Sequence, residues 1–153
     1  MKYFTFRDEN KFPYSKEKIW NTVLNIQQWP KSWKNIYSIQ ISNHTKVQQS
    51  SQIHCHLILV YFIHLNFDVS VHHLKTNTYA NFSFKGDFTG QGRWLLKTED
   101  SLTLSLLHLH LQPHHPFLRF ISFLPFGRKL LLYSHKHVMS EGKKMIIKRL
   151  SYE

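Results

Sequence analysis

Three histidines stand where an imidazole could do chemistry. His108 and His110 alternate with leucines in the run Leu102–Leu111, on the side that also carries Leu102, Leu104 and Leu106, and His135 falls within a helical apolar stripe. An imidazole titrates near neutral pH, so each could hydrogen-bond a ligand carbonyl or act as a general base. The plainer alternative is three structural histidines whose ring nitrogens are satisfied within the fold. His54-x-His56 and His108-x-His110 also put two imidazoles on one strand face, which is half of a metal site. Neither pair has a nearby Asp, Glu or Cys completing a ligand set, so neither a metal nor a cofactor is expected. Cys55, the single cysteine, points away from His54 and His56 and fits core packing. A lone cysteine excludes an intrachain disulfide and suits a reducing compartment. There is no Ser/His/Asp motif, P-loop or dinucleotide fingerprint. The 9 acidic residues are scattered, which argues against a paired-carboxylate hydrolase.

The elements that must position these residues follow from periodicity. Lys2–Phe6 alternates as a first strand, and Asp8-Glu9-Asn10 reads as an interruption of it, after which the strand can resume toward Phe12. Ser15 is an N-cap for a helix over Lys16–Leu24, whose stripe is Ile19, Trp20, Val23 and Leu24. Trp29-Pro30 ends that run, and a second short helix or turn carries Trp33. From Ile36 the period becomes two. Tyr37, Ile39 and Ile41 alternate, then Ile53 to Leu59, Phe67 to Val71, Ala80 to Phe84, Trp94 and Leu96, and finally Leu102–Leu111. Short polar links between six such strands predict an antiparallel meander. Gly86, Gly90 and Gly92 mark a bulge or tight bend within it. Phe117–Leu124 is a short helical segment, restarted after Pro125-Phe126-Gly127. A long helix from about Arg128 to Leu150 then spans about 35 Å. Its inward stripe is Leu131, His135, Met139, Gly142, Met145 or Ile146, and Leu150, opposite Lys129, Lys136, Lys143, Lys144 and Lys148.

The 153 residues suit one domain, residues 1–153, and hydrophobic residues at 42% with charged residues at 19% describe a globular chain. No apolar leader is visible at the N-terminus, and the longest apolar runs, Leu57–Ile63 and Leu130–Tyr133, are too short to span a bilayer. A cytoplasmic location is the expectation. The net charge of +11 favours anionic partners. Phe117–Tyr133 mixes Phe, Leu and Ile with Arg119, Arg128 and Lys129, which suits docking on an anionic membrane surface. No recognition motif accompanies the charge, so a nucleic-acid partner is not expected.

Three stretches resemble the START-like (SRPBCC, Bet v 1-like) superfamily, in particular its polyketide cyclase/dehydrase-like lipid-binding group. The first is Tyr14-Ser15-Lys16-Glu17-Lys18-Ile19-Trp20 with Trp29-Pro30 and Trp33. The second is the glycine-spaced strand Gly86-Asp87-Phe88-Thr89-Gly90-Gln91-Gly92-Arg93-Trp94. The third is His135-Lys136-His137-Val138-Met139-Ser140-Glu141-Gly142. The resemblance covers nearly the whole chain. It implies an α+β helix-grip fold: a curved seven-stranded antiparallel sheet around a long C-terminal helix, with two short helices after the first strand. It further implies a cavity between sheet and helix for a lipid, polyketide or similar apolar molecule, and in some members cyclisation or dehydration. Relatives that cyclise tend to place an arginine in the cavity, whereas alternation with Trp94 turns Arg93 outward.

The predicted ligand-binding set is Trp33, Phe67, Phe82, Phe84, Trp94, Leu104, Leu106, His108, His110, His135 and Met139, with His108, His110 and His135 as the catalytic candidates. The expected function is binding or carrying a hydrophobic small molecule. The alternatives are a cyclase or dehydratase using those histidines as general base, and an accessory protein docking on anionic membranes. Leu107, Leu109 and Leu111 make the other face of the last strand apolar too. That leaves open which face lines the cavity, and whether the chain is a monomer or a dimer.

Overall fold

The computed structural model describes residues 3–42, 46–59 and 63–152. Lys2 of the first predicted strand and residues 60–62 of the run Leu57–Ile63 lie outside them.

The chain runs β1 (Phe4–Phe12), α1 (Lys16–Leu24), a 3-10 turn (Ile26–Gln28), α2 (Trp29–Ser32), β2 (Ile36–Ser42), β3 (Gln52–Ile58) and β4 (His64–Lys75). It continues through β5 (Tyr79–Gly86), β6 (Phe88–Glu99), β7 (Leu102–Pro113), α3 (Pro116–Ser122) and α4 (Gly127–Leu150). The seven strands form one antiparallel sheet in the order β1-β7-β6-β5-β4-β3-β2. Each strand from β2 to β7 pairs with the next one in sequence. The α1–α2 segment carries the chain from one edge, β1, to the other, β2. The sheet curves around α4, and together they make the helix-grip α+β architecture expected from the sequence.

Local chemistry sets the helix starts. The Ser15 hydroxyl accepts from the Lys18 backbone N–H at 3.2 Å, capping α1. Pro30 lies in the first turn of α2 and opens that helix. It does not end the preceding run, as predicted: α1 has already stopped at Leu24, with Asn25 as its C-cap. Proline suits this place because first-turn N–H groups have no intrahelical acceptor.

Two strand predictions need correcting. β1 is continuous through Asp8-Glu9-Asn10, paired residue by residue with β7 from Phe4↔Leu111 to Phe12↔Thr103. The polar run does not break the strand, because β7 supplies its hydrogen-bond partners. In β2, Tyr37 faces outward and is 65% exposed, while Ile36 and Ile39 face the core. The register with β3 shifts between Ile36 and Ser38, and this irregularity turns Tyr37 out of the predicted series. The glycine-rich stretch takes the tight-bend form of the expectation: Gly86, with φ 129°, and Asp87 link β5 to β6, which then keeps an unbroken register from Phe88↔Pro113 to Glu99↔Leu102. Gly90 has φ 146°, and a Cβ there would lie 1.9 Å from the His110 carbonyl oxygen, so only glycine lets β6 approach β7 at this point.

Among the described residues the core has four buried clusters, of which the two largest are its poles. At one, Trp20 stacks on Trp94 with centroids 5.3 Å apart, among Phe12, Ile19, Ala80, Leu96 and Leu150. At the other, Ile36, Cys55, Leu65, Phe67, Phe88 and Leu118 pack together. The space between the poles is not filled.

Candidate functional site: an apolar cavity under the C-terminal helix

That space is a cavity of about 370 Å³, within the usual range for small-molecule sites. Its floor is the inner face of the sheet, with Phe4 and Phe6 (β1), Cys55 and Leu57 (β3), Phe67 and Val69 (β4), Phe82 and Phe84 (β5), Trp94 (β6) and Leu107, Leu109 and Leu111 (β7). Trp29 and Trp33 close one side. Leu131, His135, Val138, Met139, Gly142 and Ile146 of α4 form the roof. The roof is held down at the tryptophan-rich turn, where the Trp33 indole N–H donates to the Val138 carbonyl at 3.0 Å. Lys34 reaches Glu141 at 3.4 Å nearby. Partial burial pushes the Glu141 carboxyl up, but Lys144 and Lys34 together hold it below the usual range.

The wall is apolar apart from a short polar strip: Asp8, Asn10, Ser105, Ser134, His135 and Lys143. At its centre His135 Nε2 donates to Asp8 Oδ2 at 2.6 Å, and the two side chains are 13% and 14% exposed. Phe6 stacks on the imidazole with centroids 4.1 Å apart. Ser105 is occupied as acceptor of the Trp94 indole N–H at 2.9 Å. Lys143, predicted on the outer face of α4, instead borders the cavity, with its Nζ 5.9 Å from the centre of the Phe12 ring. Its flexible stem lets it lie along the apolar wall with the ammonium at the edge.

Of the predicted ligand-binding residues, Trp33, Phe67, Phe82, Phe84, Trp94, His135 and Met139 line this cavity. Leu104, Leu106, His108 and His110 do not. They lie on the outer face of β7, because the inward parity is that of Ser105, Leu107, Leu109 and Leu111. His108 and His110 are exposed, and His110 is engaged outside the sheet by Tyr3, stacked at 4.5 Å, and by the Thr5 hydroxyl at 3.1 Å. Neither can reach a ligand in the cavity. The other strand histidines are also outside: His54 pairs with Asp68 at 2.8 Å and His56 with His64 at 2.7 Å. Among the described residues no three His, Cys, Asp or Glu side chains gather as metal ligands. Arg93 points out, over the Tyr79 ring. Cys55 is part of the floor, and burial pushes its thiol up to about 12, so it stays protonated and is a poor nucleophile.

Of the polar strip, sequence reasoning found only His135 and missed Asp8, Asn10, Ser105, Ser134 and Lys143; Asp8 matters most, because it holds the imidazole. Its signal was parity: Phe4, Phe6, Asp8, Asn10 and Phe12 share one strand face.

No family model matches the chain, and no curated protein matches it. Solved structures do. A START superfamily protein from Mycobacterium smegmatis superposes with a TM-score of 0.72 at 15% identity, over 97% of each chain. The Zhui aromatase/cyclase from a Streptomyces species gives 0.76 at 9% identity, over 97% of this chain and 93% of that one. Ara h 8.0201 gives 0.69 at 12% identity, over 98% and 99%. Among the described residues no helix is long and apolar enough to cross a membrane. The seven-stranded sheet, the two short helices after β1, the closing α4 and these superpositions together give the chain the START-like (SRPBCC, Bet v 1-like) helix-grip fold.

Proposed function

We propose that residues 1–153 act as one START-like domain that binds or carries a hydrophobic small molecule, such as a lipid or polyketide, in the cavity between sheet and α4. The observation that carries this reading is the cavity itself: about 370 Å³ of space with an apolar wall, in a chain that has ample large side chains to fill it. An interior void forfeits dispersion contacts and is costly to stability unless a ligand occupies it. The reading fits a cytoplasmic carrier that works without a cofactor. Native mass spectrometry of gently purified protein, followed by solvent extraction, tests it: a recurring apolar adduct is expected. Protein that is always empty and takes up no lipid or polyketide offered to it would overturn the proposal.

A second reading, a cyclase or dehydratase, is favoured by one contact. His135 and Asp8 are an inward pair of polar groups held at 2.6 Å in an apolar cavity. Asp8 would fix the ring orientation, and His135 would be the base or hydrogen-bond donor toward a ligand carbonyl. His108 and His110 take no part in it. Turnover of a polyketide surrogate that is lost in His135→Phe, with binding retained, would support this reading over simple carriage.

A further inference from the structure

We propose that the α3–α4 elbow is a docking surface for an anionic lipid bilayer, a function beyond ligand binding in the cavity. Phe117, Phe120, Phe123 and Phe126 recur every third residue and are 44%, 61%, 74% and 60% exposed. They are not the spill-over of a core face, because α3 already buries Leu118 and Ile121 on its other side. Nor is the elbow slack: a Cβ at Gly127 would lie 1.7 Å from the Ile121 carbonyl oxygen, so the start of α4 is seated directly on the end of α3. Four neighbouring exposed phenylalanines exceed the scattered apolar residues of an ordinary surface.

Charge selects the occupant. Arg119 lies among the phenylalanines, Arg128 and Lys129 follow directly after Phe126-Gly127, and residues 101–140 contain no Asp or Glu. Aromatic side chains beside arginine and lysine, with no acidic residue in the same stretch of sequence, match an interface of acyl chains beneath anionic headgroups. The same segment also supplies Leu118 and Leu131 to the cavity wall. A docked bilayer would therefore lie against the segment that bounds the cavity.

Flotation of the full chain with vesicles tests this. Wild type is expected to float with phosphatidylcholine vesicles containing phosphatidylglycerol, and not with phosphatidylcholine alone. Phe120→Ser with Phe123→Ser should abolish flotation while circular dichroism stays unchanged. Arg119→Gln and Lys129→Gln should weaken it by roughly fivefold per charge, whereas the control pair Lys18→Gln and Lys97→Gln, remote in sequence from the elbow, should leave it intact. Equal flotation on neutral vesicles, no flotation at all, or a control pair as damaging as the elbow charges would overturn the proposal. So would concentration-dependent dimerisation in light scattering that the phenylalanine variant removes, since the patch would then belong to a second copy. Apolar ligand retained by the phenylalanine variant in native mass spectrometry separates failure of docking from failure of carriage.

Discussion

Gly142 lies against the Trp33 indole so closely that a Cβ there would be 2.7 Å from Cζ2. In most helices a Gly→Ala change gains roughly 1 kcal/mol of propensity. Here overpacking against a ring held by the Val138 carbonyl should cost about 1–3 kcal/mol. Gly142→Ala is therefore expected to lower the melting temperature, whereas Ser140→Ala, at an exposed position two residues away, should not. A stabilised Gly142→Ala would show that α4 is not clamped on Trp33.

The His135–Asp8 pair predicts a non-additive pair of variants. His135→Leu leaves a mostly buried carboxylate without its donor, at a cost of about 1–3 kcal/mol. Adding Asp8→Leu removes the orphan and should recover much of that loss. Chemical denaturation of both singles and the double measures the coupling; strict additivity would mean that the contact carries no energy.

The two faces of β7 should respond in opposite ways. His108→Ala and His110→Ala are expected within about 0.5 kcal/mol of wild type, as for most surface changes, with ligand occupancy unchanged. Leu109→Ala removes a buried wall residue and should cost about 2–5 kcal/mol. Loss of ligand in the histidine variants would contradict the inward parity of Leu107, Leu109 and Leu111.

Cys55 predicts an alkaline effect. Burial raises its folded value from the ordinary 9.0 to about 12. The proton is thus held more tightly in the folded state than in the unfolded one. Its stabilising share is complete below pH 9 and is lost as the pH rises toward 12. Compared with Cys55→Ala, wild type should lose more stability across that window, read as the difference between their denaturation midpoints.

Much of the fold was legible because its signals were local. Ser15 and the Ile19–Leu24 stripe gave α1 residue for residue, and the α4 stripe from Leu131 to Leu150 correctly predicted its inward side. The face of β7 was not legible in the same way. Leu106 and Leu107 are adjacent, and each face carries both leucines and polar residues, Ser105 on one and His108 and His110 on the other, so polarity does not break the tie. What decides it is pairing with β1, where Phe4 and Phe6 oppose Leu111 and Leu109. Asp8 was hidden for a related reason. A polar residue on the apolar face of a strand reads as an interruption until the helix that meets it, 127 residues away, is in place.

The floor and roof of the cavity are attached by different means. From β1 to β2 the floor is one continuous hydrogen-bonded ladder, and stretching it anywhere breaks backbone bonds. Among the described residues, α4 joins it through side chains: an indole, one histidine–aspartate contact, the Lys34–Glu141 ion pair and apolar packing. The compliance of the container is therefore directional. A ligand too large for the resting volume would be admitted by lifting α4, leaving the strand register unchanged. The backbone amides of β6 and β7 would keep their protection from exchange throughout.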